Sequence, residues 1–279
     1  MSIEEIVGEI RARGYCVVAD VIPDDRVGPI RDAILSLHED EAEQNRAREA
    51  EIKAKGHRVG AAGVSSTVML INSYQGFAPY LADARVLGTA EAFFGSFVRV
   101  ASAGSIVTQP GNARGYWHAD WPYNQTNAAR VRSPYPDVMM VLSSLWMLTP
   151  FSAETGGTLF VPGSHRASSN PSGGGAFDPD SSHSEEVHAT GSAGSVALYD
   201  ARLWHSVAPN RSARPRVALS VRYAPWWLNL NPETAGTPEH ALMVAERNGK
   251  SASLPPIRPD VYAALPAAVQ PLFRHALRP

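Results

Sequence analysis

Arg216-Val217-Ala218-Leu219-Ser220-Val221-Arg222-Tyr223 puts Val217, Leu219, Val221 and Tyr223 on one side of an extended chain and Arg216, Ala218, Ser220 and Arg222 on the other. Side chains alternate across a strand with period two, so such a segment buries its apolar face against a covering layer while its small and cationic face lines a polar cavity. Outward from it, strand-like segments recur at Val64–Ile71, Val98–Gln109, Val138–Thr149, Thr158–Val161 and Val196–Tyr199, separated by Gly, Pro, Asn and Ser clusters. Strands divided by turns rather than by regular helices predict a mainly β, antiparallel jelly roll instead of a βαβ architecture.

Ahead of these strands, Ile3, Ile6, Val7 and Ile10 stand at helical spacing with Gly14 as the stop, and Val27, Ile30, Ile34 and Leu37 repeat the spacing after the turn at Pro23-Asp24-Asp25. The chain therefore opens helix, strand (Cys16–Ile22), helix, and these α-helices flank the jelly roll. From His38 to His57 nearly every residue is charged or polar, the pattern of a solvated helix or mobile flap. Residues 167–194 are rich in Ser and Gly and are expected to form a mobile loop near the site. The tail carrying Pro255, Pro256, Pro259, Pro266 and Pro271 reads as a surface-packed extension, and residues 1–279 as a single domain.

With 279 residues, 44% hydrophobic and 19% charged, and a formal net charge of -2, the composition is that of a globular protein with no electrostatic affinity for nucleic acid or anionic membranes. Cys16 is the single cysteine and lies in an apolar run, so it reads as a buried thiol in a reducing, cytoplasmic protein. No window approaches the ~20 apolar residues needed to span a bilayer.

The chemistry gathers in two segments. In Gly115-Tyr116-Trp117-His118-Ala119-Asp120-Trp121, His118 and Asp120 stand two apart, so a strand presents an imidazole and a carboxylate to the same side. A third ligand from His205, in Leu198-Tyr199-Asp200-Ala201-Arg202-Leu203-Trp204-His205, would complete two histidines and one carboxylate with open positions, the pattern of non-haem iron oxygenases. Zinc accepts the same set, which leaves a zinc-dependent hydrolase or isomerase as an alternative. A jelly-roll binding protein without turnover is a further one.

The ordered combination resembles the phytanoyl-CoA dioxygenase family of 2-oxoglutarate-dependent oxygenases. Gly14–Leu37 is similar to the family's strand-then-helix start and Trp117–Asp120 to its first two ligands. Gly156-Gly157-Thr158-Leu159-Phe160-Val161-Pro162-Gly163-Ser164-His165 is similar to its Pro-Gly-Ser-His segment, and Trp204–Arg216 to its distal histidine and following arginine. The resemblance implies a cupin-like double-stranded β-helix in which His118, Asp120 and His205 hold Fe(II), Arg216 pairs with the far carboxylate of 2-oxoglutarate and Thr158 contacts the same cosubstrate. It implies consumption of O₂ and oxidation, most simply hydroxylation, of a small molecule with release of succinate and CO₂. Because Asp120 fills the carboxylate position, the open site of related halogenases is absent. Val207 stands where the family often has a hydroxyl residue, and Ser206 or Gln109 is the expected substitute.

His165 falls at a structural turn on this resemblance, and His183 and His188 in the polar loop are expected to face water. Tyr116, Trp117, Trp121, Tyr123, Trp204, Trp226 and Trp227 crowd the sequence around the ligands. If several face the metal, the substrate is partly apolar and flat, with Trp121 and Trp226 against it and Asn72, Asn124 and Gln125 as polar contacts. The substrate's identity and a monomeric or homodimeric state are left open by the sequence.

Overall fold

The computed structural model describes residues 1–124, 131–172, 177–247, 249 and 254–277. Its strands are β1 (Tyr15–Val18), β2 (Val64–Thr67), β3 (Arg99–Thr108), β4 (Leu142–Met147), β5 (Leu159–Phe160), β6 (Val187–His188), β7 (Val196–Asp200), β8 (His205–Ser206) and β9 (Arg216–Ala224). Six form one antiparallel sheet in the order β1-β7-β4-β9-β3-β2, and three form a smaller one in the order β6-β5-β8. Phe160, Tyr199, Tyr15, Leu145, Met147 and Ala218 fill the space between the two sheets, giving the jelly roll expected from the turn-separated strands.

The alternation in β9 decides which face does what. Val217, Leu219, Val221 and Tyr223 enter the main core cluster on the outer side of the large sheet, whereas Ala218 joins the cluster between the sheets. Arg216, Ser220 and Arg222 share the Ala218 side and so point into the barrel. The outer side is covered by α1 (Ile3–Arg13), α2 (Asp24–Asp40), α4 (Ala84–Phe94) and the C-terminal helices, through Ile6, Ile10, Ile30, Ile34, Val86 and Ala90 among others. Helix α1 starts in a capping box between Ser2 and Glu5 and stops at Gly14, whose φ of 89° and closeness to the His165 ring leave no room for a Cβ. No helix of the described residues is long and apolar enough to cross a membrane.

The strand expected over Cys16–Ile22 runs instead from Tyr15 to Val18, and two further expectations need correction. The strand expected over Val64–Ile71 ends at Thr67, because Met69 takes a left-handed conformation and the chain turns into a 3-10 segment, Leu70–Asn72, that delivers Leu70 and Ile71 to the core. The Pro-rich tail is not a surface-packed extension. It folds, after α5 (Pro238–Glu246), into α6 (Pro259–Ala264) and α7 (Gln270–Phe273), and Ile257, Val261, Leu265, Val269, Leu272 and Phe273 enter the main core. Pro259 and Pro271 sit in the first helical positions, where a missing N–H costs nothing, so these prolines start helices rather than break structure. Between α2 and β2, α3 (Ala42–Ala54) buries no residue, as its composition predicts.

Helix α2 is pinned to the large sheet by a polar contact inside the apolar layer. His38 Nδ1 lies 2.6 Å from Ser65 Oγ and its Nε2 2.9 Å from Ser105 Oγ. Burial pushes the imidazole down to about 4, so the folded state holds it neutral. Its folded value lies below its unfolded one, so its contribution to stability is complete above about 6.5 and is lost as pH falls through about 4. On lowering the pH across that window, denaturant titrations are expected to show wild type losing stability relative to His38→Gln, by at most about 3 kcal/mol. Parallel pH profiles for the two proteins would remove His38 from the linkage.

Candidate metal centre

The segment that carries His118 and Asp120 is clamped to the segment that carries His205 by main-chain bonds. His118 N donates to His205 O at 3.1 Å, His205 N donates back to His118 O at 3.0 Å, and Asp120 N donates to Ala201 O at 2.7 Å. The turn between β7 and β8 is held in turn by a buried ion pair, with Arg202 Nη2 2.8 Å from Asp200 Oδ2 and Arg202 Nε 3.1 Å from Asp200 Oδ1. Two stretches far apart in sequence are thus locked in register, and three side chains meet on one side of them.

The ligand atoms of His118, Asp120 and His205 lie within 4.8 Å of one another. His118 Nδ1 is 3.1 Å from Tyr116 O and His205 Nδ1 is 2.9 Å from Leu203 O. A carbonyl only accepts, so each Nδ1 carries the proton and each Nε2 presents a lone pair. Burial, helped by neighbouring His205, lowers His118 to about 4 and keeps that lone pair free near neutrality. Burial by itself would raise the Asp120 carboxyl, but Arg222, the two imidazoles and Ser143 outweigh it and hold it below the usual carboxylate range. Arg222 Nη2 donates to Asp120 Oδ1 at 2.8 Å, while Ser143 Oγ and Tyr199 Oη donate to Oδ2 at 2.6 and 3.2 Å. Two imidazoles held through Nδ1, with Nε2 turned to the centre, and an oriented carboxylate fit a divalent metal with coordination positions to spare.

Arg216 is 2% exposed and projects into the same barrel. Its Nε donates to Thr108 Oγ1 at 3.2 Å, its guanidinium lies 4.5 Å from the centre of the Phe151 ring, and its Nη1 is buried with no hydrogen-bond partner. Burial pulls its pKa down to about 10, which still leaves it cationic at neutral pH. An orphaned, charged, planar donor inside a barrel fits an incoming carboxylate.

Beside the triad opens a cavity of about 420 Å³ whose wall includes Arg222, Ser220, Ile106, Ser102, Tyr116 and Glu233. Arg222 joins it to Asp120, and the Tyr116 ring stands 5.2 Å from that of His118. The charged helix α3 supplies another wall through Asn45, Arg48, Glu49 and Ile52, so its polar surface faces a cavity as well as solvent.

The expected substrate contacts are placed elsewhere. Trp121 is 5% exposed and packs with Ala101, Tyr123, Val141 and Leu230, because it lies on the side of its strand opposite His118 and Asp120. Trp226 is 54% exposed on the surface. Asn72 ties down the C-terminal region, its Nδ2 donating to Pro256 O at 2.9 Å and its Oδ1 accepting from Arg258 N at 3.3 Å. Asn124 is buried and is not part of the cavity wall, and Gln125 lies outside the described residues. Gln109 is an exposed turn residue past the end of β3, and Ser206 spends its hydroxyl on Gly115 O at 2.6 Å, facing away from His205. Thr108 is therefore the hydroxyl that meets Arg216. Thr158 is buried at the start of β5, two residues before Phe160, whose ring faces His205.

Of the loop expected near the site, the described part backs the small sheet. Trp117 N donates to Pro179 O, Trp117 Nε1 to Ser181 O, and His183 stands among Trp117, Phe177 and Trp204 instead of facing water. His188 Nδ1 lies 2.8 Å from Gly157 O. His165 is buried at the turn after β5 with Nε2 3.3 Å from Arg11 O, a structural position. Sequence reading missed Ser143, Tyr199 and Thr108. Each sits on an inward position of its strand, but only the cross-strand register reveals which inward residues neighbour the triad.

Uncharacterized proteins of Mycobacterium bovis (Mb1539) and Mycobacterium tuberculosis (Rv1501) are each 24% identical to the chain over 229 residues, covering 80% of it and 75% of their own length. Among solved structures, HygX from Streptomyces hygroscopicus with nickel, 2-oxoglutarate and hygromycin B bound is 16% identical with a TM-score of 0.57, covering 83% of this chain and 92% of that one. The epimerase SnoN in complex with Fe3+, alpha ketoglutarate and nogalamycin RO is 18% identical with a TM-score of 0.56, covering 80% and 83%. EctD from S. alaskensis with 2-oxoglutarate and 5-hydroxyectoine is 20% identical with a TM-score of 0.56, covering 81% and 76%. At these identities the likeness establishes a shared fold. A family model adds the assignment, for residues 10–218 match that of phytanoyl-CoA dioxygenase (PhyH), and the chain belongs to that family.

Proposed function

We propose that this protein is an Fe(II)- and 2-oxoglutarate-dependent dioxygenase that oxidises a small polar molecule. The observation that carries the reading is the convergence of two Nε2 lone pairs and the Asp120 carboxylate in the barrel into which Arg216 projects with Nη1 unpartnered. On this reading His118, Asp120 and His205 hold the metal, Arg216, steadied by Thr108 and Phe151, takes the far carboxylate of 2-oxoglutarate, and Thr158 is a further contact of the same cosubstrate. When bound, iron would couple oxidative decarboxylation of 2-oxoglutarate to succinate and CO₂ with O₂-dependent oxidation of the substrate.

The chain's own residues account for orientation and for exclusion of water. Tyr116 O and Leu203 O fix the ring tautomers; Ser143, Tyr199 and Arg222 fix the carboxylate. Phe160 and Tyr199 close the barrel around His205. A zinc hydrolase on the same triad has no use for a buried arginine with a free nitrogen, which favours the oxygenase. The cavity wall of Arg222, Ser220, Ser102, Asn45 and Glu233 supports a polar substrate in place of the flat, partly apolar one expected from the tryptophans.

Titrating the anaerobic protein with Fe(II) and then 2-oxoglutarate is expected to give a visible metal-to-ligand charge-transfer band in wild type and none in His205→Ala. In Arg216→Ala the band is expected only at roughly 30- to 1,000-fold higher 2-oxoglutarate, the loss of about 2–4 kcal/mol from a buried charge-assisted pair. Iron-loaded, folded wild type without the band would overturn the assignment. Tyr199→Phe and Ser143→Ala, which leave every ligand in place, are expected to weaken metal binding by roughly tenfold each through loss of carboxylate orientation, measured by competition with a chelating dye. Unchanged affinity in both would remove that orienting role.

A further inference from the structure

Glu233 sits on the 3-10 segment Asn231–Glu233, 6% exposed, in the wall of the cavity beside the triad. Its backbone is secured on both sides, its N donating to Leu230 O at 3.1 Å and its O accepting from Leu254 N at 2.7 Å. Its carboxylate is not secured at all: among the described residues no hydrogen bond or ion pair reaches it, although a buried carboxylate normally collects several. Two cations act on it without bonding it: Arg222, which has committed Nη2 to Asp120, and Arg247, just past the end of α5. From α3, the buried Nδ2 of Asn45 also faces no partner in this cavity.

A core position with no functional demand would lose this acid readily, because an unpaired buried carboxyl costs several kcal/mol where a leucine or methionine would cost nothing. The position is preorganised by its backbone and opens on a cavity whose wall also carries Arg48 and Arg58, the latter paired with Asp180, yet among the described residues no cation is bonded to its carboxylate. Resting on the oxygenase reading above, we infer that Glu233 is the specificity-determining residue of this site and that the substrate carries a protonated amine which pairs with the Glu233 carboxylate. A hydroxyl would satisfy one lone pair and leave the charge uncompensated, whereas an ammonium supplies both charge and donors. Burial, reinforced by the Asp120 charge, raises the free carboxyl to about 7 against the opposing pull of Arg222 and Arg247, in agreement with an acid to which no cation is bonded. An ammonium would hold it ionised and draw that value down.

The test uses full-length protein loaded with Fe(II) and 2-oxoglutarate under anaerobic conditions and labelled with ¹³C at the glutamate side-chain carboxyls, Glu233 being assigned by its absence in Glu233→Gln. The probes are ethanolamine and ethylene glycol, which match in size and differ in the ammonium, at about 100 mM, enough to occupy a site of millimolar Kd. The Glu233 titration midpoint is expected to fall by about one pH unit or more with ethanolamine and to stay in place with ethylene glycol. A midpoint unmoved by ethanolamine, or moved equally by both, would overturn the inference. The charge-transfer band of the same samples separates the two readings. With the band present, a silent Glu233 defeats only the amine site; with the band absent, the oxygenase reading itself fails whatever Glu233 does.

Discussion

The paired main-chain bonds between His118 and His205 are the constraint from which the rest of the site follows. Each histidine donates its N–H to the other's carbonyl, so neither backbone can shift without breaking both bonds inside the barrel, where each lost bond leaves a donor or acceptor to be satisfied elsewhere. The bridge also brings the two ring centroids to 4.2 Å, and alternation along the same strand then carries Asp120 to the same side. The geometry of the triad follows from sheet closure, which is why its side chains rest on strand ends and tight turns rather than on long loops.

Charge is the second constraint, because Asp120 would be costly to bury alone. The three donors around its two oxygens differ in kind, one cation and two hydroxyls, and they come from three strands, β9, β4 and β7. That spread ties the carboxylate to the whole large sheet, so its orientation reports on the packing of the barrel. It also leaves Arg222 as the junction between the His118, Asp120 and His205 cluster and the cavity.

How much of this was legible in the sequence depends on the range of the signal. Strand alternation in Arg216–Tyr223 is local, and it correctly separated the inward residues Arg216, Ser220 and Arg222 from the core-facing ones. The i, i+2 pair of His118 and Asp120 is equally local. The partners Ser143, Tyr199 and Thr108 are ordinary residues in their own strands; only the pairing of β4 with β7 and of β3 with β9 brings them to the site, and register is set by the fold rather than by any short segment. Aromatic crowding misled for the same reason that the H-x-D pair comes to one side. Trp117 and Trp121 are odd-numbered neighbours of even-numbered ligands, so the alternation that aims His118 and Asp120 inward turns the tryptophans away.

Helix α3 shows why a polar stretch resists interpretation from sequence. A helix with no apolar stripe gains little from packing, and the pattern of charges is the same whether its neighbour is bulk water or a polar cavity. What distinguishes the two is the other wall. Here that wall consists of Ser102, Ser220, Arg222 and Glu233, contributed by strands and a 3-10 segment distant in the chain, and a helix built to shed water would have presented leucines to it. The polar character of α3 is therefore matched to the polar cavity it borders.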